Sequence, residues 1–319
     1  MSQNRKIRIG VVGIGHLGNY HLQKYAKLPN NQIVGAADTD RDKVSKAAET
    51  FACQAYTDYR DLIGQVDAVS IAVPTEHHYA IARDFLEAGV DVLLEKPITD
   101  TLEKANHLIK IARSKKRILQ IGFVEKFNPA IVALGKVIRE PLFIETHRLH
   151  PFFTRGTDVD VVLDLMIHDL DIILNFVNSP VKSVGAVGVS VLSDKVDISN
   201  ARITFQNGCV ANITASRITG KKLQKIRFFG LEGYHSVDYE KRELVSLSRT
   251  KGEDGFAQIG VNDVEIIMQD PLEKEVEAFL NSVLTRAPAV VSGEDGRKSL
   301  KLALRIIQEM EKNKERMPL

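Results

Sequence analysis

Ile7-Arg8-Ile9-Gly10-Val11-Val12-Gly13-Ile14-Gly15-His16-Leu17-Gly18 decides the fold. The apolar run Ile7 to Val12 reads as a buried strand, and the residues from His16 onward carry the spacing of a helix. Three glycines sit between and at the start of these elements. Gly13 permits the tight strand-to-helix turn, Gly15 lets backbone approach a pyrophosphate, and Gly18 lets the helix lie close to the strand. The helix start offers unpaired N–H groups to phosphates, so Gly13, Ile14, Gly15, His16, Leu17 and Gly18 are the expected cofactor contacts. Asp38 stands twenty residues after Gly18, at the end of the apolar run Ile33 to Ala37. There its carboxylate accepts both hydroxyls of an adenosine ribose and repels a 2′-phosphate, which favours NAD over NADP. Arg41 nearby leaves some NADP use open.

The same beat continues outward. Apolar runs at Ala68 to Val73, Val90 to Leu94 and Ile118 to Ile121 alternate with amphipathic stretches such as Leu102, Ala105, Leu108, Ile109 and Ala112. This is the pattern of a doubly wound parallel sheet with helices on both faces. After Phe123 the rhythm changes. One apolar helix is expected over Val161 to Val177, and most of Pro141 to Ser248 reads as short alternating strands. Asn207-Gly208 makes a hairpin between the stripe Ala201, Ile203, Phe205 and the stripe Cys209, Ala211, Ile213, Ala215. A second turn at Leu231 to Gly233 joins Ile226 to Phe229 with Ser236 to Tyr239. Two helices follow, over about 271–285 and 296–314. The expected architecture is α/β: a dinucleotide-binding domain over 1–123, then an α+β domain over 124–319 on an open, mostly antiparallel sheet. The terminal helices are placed to pack back on the first domain, and the open sheet leaves a face for a second subunit.

The bulk numbers narrow the function. A chain of 319 residues suits two domains. Charged residues make up 26% and balance to a net charge of +2, which supplies no field for recruiting nucleic acid or an anionic membrane. Cys53 and Cys209 form neither a C-x-x-C pair nor a disulfide framework. The polar start Met1 to Lys6 lacks the apolar core of a signal peptide, and no stretch has the length to span a bilayer. A cytoplasmic location is expected.

Two segments carry chemistry. Glu95-Lys96-Pro97 follows the strand Val90 to Leu94, and ligands of such sheets bind outside the carboxyl ends of strands. An ammonium held there stabilises negative charge on a reacting oxygen. It also suits an ordinary lysine at a strand end. Asp164 and His168 lie four apart on the apolar helix, hence on one face, with Asp171 and Asn175 extending the stripe. Imidazole titrates near neutrality and suits a base for an alcohol proton, with Asp164 orienting it or touching substrate. A structural histidine, or a metal set of Asp164, His168 and Asp171, competes with that reading; no metal is assigned. Arg148 and Arg155, in a stretch with His147, His150 and aromatics, form either an anion clamp or solvated loop charge. Glu125-Lys126-Phe127-Asn128-Pro129 opens a helix, and Asn128 either bonds sugar hydroxyls or caps that helix.

Taken together these motifs resemble the glucose-fructose oxidoreductase/inositol dehydrogenase (Gfo/Idh/MocA) family along nearly the whole chain. The resemblance rests on Gly13-x-Gly15-x-x-Gly18, Val73-Pro74-Thr75-x-x-His78, Glu95-Lys96-Pro97, Asp164-x-x-x-His168 and Val291-Ser292-Gly293-Glu294-Asp295-Gly296. It implies a Rossmann first domain, Lys96, Asp164 and His168 as the catalytic set, and NAD contacts at Pro74, Thr75, His78, Glu95 and Lys96. It also implies homodimers or homotetramers formed through the open sheet. Glu125 to Ala130 and Asp160 to Asp169 resemble the branch acting on nucleotide sugars, which oxidises the 3-hydroxyl of UDP-N-acetylglucosamine for later amination toward 2,3-diamino sugars of lipid A or surface glycans. Substrate contacts are then expected from Lys96, Glu125, Phe127, Asn128, Arg148, Arg155, Asp164 and His168. The uronate of that sugar, a free sugar or inositol, and a noncatalytic NAD-sensing role are the alternatives. Relatives often carry glycine where Met166 stands and arginine where Lys126 stands, which implies a narrower sugar site here and no bidentate guanidinium.

Overall fold

The computed structural model describes residues 6–152, 159–251 and 257–314. They fall into two compact units, one containing the chain up to 124 with 270–297, the other 125–269 with the chain from 298 onward.

The first unit is built on β1 (Ile7–Val12), α1 (His16–Lys27), β2 (Asn31–Ala37), α2 (Arg41–Phe51), β3 (Gln54–Tyr56), β4 (Ala68–Ile71), α3 (Thr75–Glu87), β5 (Asp91–Glu95), α4 (Leu102–Lys115) and β6 (Leu119–Gly122). The strands run parallel in the order β3-β2-β1-β4-β5-β6. The chain winds from β1 to one edge, returns, and winds from β4 to the other. Strand order therefore reverses between β1 and β4, and the carboxyl ends at that crevice are where ligands of such sheets bind. Ile9, Val11, Ala68, Val69, Ile71, Val92 and Leu94 are fully buried, as expected where helices cover both faces. The helices start on residues that accept from their own first-turn N–H groups: Asp40 for α2 and Thr101 for α4. α1 and α3 have no such side chain.

In the second unit, α5 (Pro129–Val137) precedes β7 (Phe143–Leu149), and a π turn over Val162–Met166 runs into α6 (Ile167–Phe176). Strands β8 (Val181–Val189), β9 (Ile198–Phe205), β10 (Val210–Ser216), β11 (Leu223–Phe229), β12 (Gly233–Asp238), β13 (Glu243–Lys251) and β14 (Ala257–Val261) follow. Their order is β14-β13-β12-β11-β7-β10-β9-β8. Every pairing is antiparallel except that of β7 with β10. The Asn207-Gly208 turn sets Ile203 opposite Ala211, and the next turn sets Ile226 opposite Val237, as the turn residues predict. The sheet starts earlier than expected, because β7 lies ahead of the helix and occupies a central position. It also continues past Ser248 to β14.

Two helices close the chain, α7 (Pro271–Thr285) and α8 (Gly293–Lys314). Val276, Phe279 and Leu280 of α7 share one core with Ile9, Leu22 and Tyr25. That apolar stripe is why 270–297 belongs to the first unit, so one cut at 123 does not divide the chain. The Val291 to Gly296 motif is a helix cap: Ser292 donates to Asp295 at 2.7 Å, and the Asp295 N–H returns to Ser292 at 3.3 Å. Further along α8, Asn313 donates to the Ala186 carbonyl at 2.8 Å.

Candidate active site

The turn after β1 is shaped by what it lacks. Gly13 has φ +88°, and a Cβ there meets the Ala72 carbonyl oxygen at 2.5 Å; a Cβ on Gly18 meets the Gly13 oxygen at 1.8 Å. At Gly15 a Cβ meets nothing within 4 Å, so backbone is open to an incoming group. Gly15, His16 and Leu17 are exposed. α1 begins with no side-chain cap and no acidic residue in its first turn, which leaves an uncapped, electropositive helix start for phosphates. Ile14 turns its side chain into the core and contributes only its N–H, which donates to Asp38 Oδ2 at 2.6 Å. Asp38 Oδ1 accepts from the Asp40 N–H at 2.9 Å, so the carboxylate is fixed against the glycine turn. Open floor, uncapped helix and anchored carboxylate fit a dinucleotide with free ribose hydroxyls.

Lys96 follows β5 and is half-buried. The loop it opens is held by His78, whose ring nitrogens lie 2.8 Å from the Pro97 carbonyl and 2.9 Å from the Val73 carbonyl. Burial pushes this imidazole's pKa down, against the two carbonyls. The buried ring faces backbone on both sides and, when neutral, donates to one of the two carbonyls, so the expectation that the His78 side chain touches the cofactor is corrected: it lies between the Pro74-Thr75 and Lys96-Pro97 segments. Glu95 is corrected too. Its side chain is buried and accepts from His21 Nε2 at 3.1 Å, inside the unit.

In the second unit the expected α-helix opens as a π turn, in which the Ile167 N–H reaches the Val162 carbonyl. Such turns are frequent at functional sites. Asp164 lies in this turn and His168 in the first turn of α6, both half-buried. Burial, then Lys222 and Arg148, push the pKa of the half-buried His150 down, while the Asp164 charge opposes that shift. Asp171, expected in the same stripe, is buried and paired with Lys126 at 3.4 Å, whereas Asn175 is exposed. Met166 is fully buried, so it does not narrow a sugar site.

Arg148 and Asn128 are corrections as substrate contacts. Arg148 is buried and bidentate to Asp169 at 2.9 and 3.1 Å, with a further bond to Glu125 at 3.1 Å and the Tyr239 ring 4.6 Å away. Burial works against its charge, but Asp169 and Glu125 more than offset that, and the guanidinium stays protonated. Asn128 caps α5 through the Ala130 N–H at 3.1 Å and donates to Glu125 and to the Tyr239 carbonyl. Glu125 is thereby held between Arg148 and Asn128, and Phe127 remains half-buried. Arg155 lies outside the described residues. Sequence reading missed the Lys126–Asp171 pair and the contact of His150 Nε2 with Gln224.

Comparison with known proteins agrees with this geometry. Residues 7–123 match the model of an oxidoreductase family with an NAD-binding Rossmann fold, and 137–235 match the GFO/IDH/MocA C-terminal domain. The chain belongs to the Gfo/Idh/MocA oxidoreductase family. It is 37% identical over 302 residues to a UDP-N-acetylglucosamine 3-dehydrogenase of Acidithiobacillus ferrooxidans, covering 94% of this chain and 96% of that one. The solved structure of that organism's UDP-N-acetylglucosamine 3-dehydrogenase GnnA superposes with a TM-score of 0.88 at 36% identity, covering 96% and 98%. An inositol 2-dehydrogenase of Rhizobium meliloti is 27% identical, over 93% and 94% of the two chains. This member of the family is therefore an oxidoreductase with an NAD-binding first unit, and no described helix is long and apolar enough to cross a membrane.

Proposed function

We propose that this family member oxidises the 3-hydroxyl of UDP-N-acetylglucosamine to the 3-keto sugar. The observation that carries the reading is the end-to-end similarity, 37% over 94% of the chain, to a dehydrogenase of that substrate. NAD supplies the hydride acceptor. His168 takes the hydroxyl proton, Asp164 orients the imidazole, and the Lys96 ammonium steadies the developing alkoxide. Pro74 and Thr75 flank the nicotinamide, Phe127 packs on the sugar, and Arg155 pairs with the diphosphate. The 3-keto product suits transamination, so an aminotransferase that builds a 2,3-diamino sugar for lipid A or a surface glycan is the expected next step. The enzyme works in the cytoplasm as a homo-oligomer joined through the sheet face that exposes Val187, Val189 and Val245.

The test is NADH absorbance with purified protein offered UDP-N-acetylglucosamine, its uronate and free inositol in parallel. Reduction of NAD with the first, at the highest kcat/KM, is expected. Turnover of inositol with none of either nucleotide sugar overturns the proposal.

A further inference from the structure

Behind the end of β5 lies a buried polar cluster that the proposed chemistry does not use. Tyr25 and His21 come from α1, Ser70 from β4, Glu95 from β5, Gln120 from β6 and Glu275 from α7. All six are less than a tenth exposed, and Glu275 is fully buried. Ligand atoms of His21, Glu95 and Glu275 lie within 4.8 Å of one another. Gly122, paired with Glu95 across the sheet, makes room for it: a Cβ there stands 3.0 Å from the Glu95 carboxyl atoms.

Most of the cluster orders itself as a chain of donors. Tyr25 Oη lies 2.7 Å from Ser70 Oγ, Ser70 Oγ 3.2 Å from His21 Nδ1, and His21 Nε2 3.1 Å from Glu95; a Glu95 carboxylate takes the Nε2–H, which leaves Nδ1 to accept from Ser70 and Ser70 to accept from Tyr25. Glu275 stands apart. Among the described residues neither of its carboxyl oxygens has a hydrogen-bond partner, and Gln120 Oε1 is likewise unmatched. Gln120 is held in place by its amide, which donates to the Glu275 backbone carbonyl at 3.0 Å. Two ionised carboxylates in this dry space repel one another, and burying an unpaired charge is costly. A single proton removes both the repulsion and the buried charge, because an un-ionised carboxyl becomes a donor beside the Glu95 carboxylate. Burial, then the negative charge of Glu95, push the Glu275 carboxyl well above the ordinary range, in the same direction.

We propose that Glu275 is a neutral carboxylic acid sharing its proton with Glu95, and that this buried pair, tied through His21 to α1, is a positioning device for Lys96, the next residue along the chain. The positioning role rests on the reading of Lys96 given above; the shared proton does not. The ionisable groups facing Glu275 are Glu95 from β5 and His21 and Tyr25 from α1; Ser70 and Gln120 are the neutral contributions of β4 and β6.

Infrared spectra of the wild-type protein and Glu275→Gln at neutral pH test the proton. A carbonyl stretch of an un-ionised carboxylic acid in the wild type, missing from the variant, is expected. Kinetics test the positioning: Glu275→Ala lowers kcat about ten- to hundredfold, the scale of a misplaced catalytic group, with the Kd for NAD unchanged, and Glu275→Gln restores it because an amide also donates. Absence of the carbonyl band, or a stoichiometric divalent metal in the purified protein, overturns the shared proton; a Gln variant as slow as the Ala variant overturns the donor role. If Glu275→Ala does not fold, the wild-type and Gln spectra still decide. Full turnover by Lys96→Met with the band intact rejects the role of Lys96 while leaving the acid–carboxylate pair standing.

Discussion

At the head of α1, backbone N–H groups open onto space that no side chain claims, while around Arg148 four polar side chains satisfy one another inside the second unit. Both regions are rich in binding-type residues. The difference lies in the bookkeeping of hydrogen bonds: donors left over by the fold mark a place for a ligand, and donors matched within the fold mark scaffolding. Asp164 and His168 form a third case, half-buried groups at a π turn, where chemistry is proposed.

His168→Ala sharpens the contrast most strongly. Turnover of UDP-N-acetylglucosamine falls by about 10²- to 10⁴-fold, the worth of a general base, while the Kd for NAD by calorimetry is unchanged. Arg148→Ala tests the other side of the comparison. It leaves Asp169 buried and unpaired, and a loss of about 3–5 kcal/mol in urea unfolding is expected for breaking such a pair. A raised KM for nucleotide sugar at unchanged stability means instead that the guanidinium binds substrate, and the contrast fails.

Asp38→Ala removes a charged hydrogen-bond acceptor worth about 1.5–3 kcal/mol, so NAD binding weakens roughly ten- to hundredfold while NADP binding holds or improves. Fluorescence titration with both cofactors reads this directly. A smaller effect belongs to Asn128→Ala, which removes the α5 cap at a cost of about 1 kcal/mol; sugar KM is expected to stay put in the same preparation. His78 adds a pH dependence. Its folded pKa lies below the ordinary 6.5, so its contribution is present above that value and is lost as pH falls through the folded pKa. A His78→Gln variant should show a flatter fall in melting temperature over that acid range than the wild type.

The fold was legible where short-range sterics dictate it. Gly18 is required by the Gly13 carbonyl oxygen five residues back, Gly13 by its own positive φ in the turn, and Asn207-Gly208 sets its own hairpin. β3 escaped notice because it is three residues long with Gln54 and Ala55 exposed, leaving no apolar pattern to read. The π turn escaped for another reason: it is a slip in hydrogen bonding from Val162 to Ile167 with no residue of its own. Roles in the site were legible only where they follow from backbone position. Arg148 finds Asp169 twenty-one residues away, and Glu95 meets Glu275 from a distant helix. Such pairings turn a polar residue from ligand to support, and they exist only once the sheet has closed.

The central claim is hydride removal from carbon 3 of a nucleotide sugar, with His168 taking the hydroxyl proton. Incubation with UDP-N-acetylglucosamine deuterated at carbon 3, followed by mass spectrometry of the coenzyme, tests it directly. Deuterium in the reduced nicotinamide is the predicted result; NADH formed without label, or no NADH at all, contradicts it.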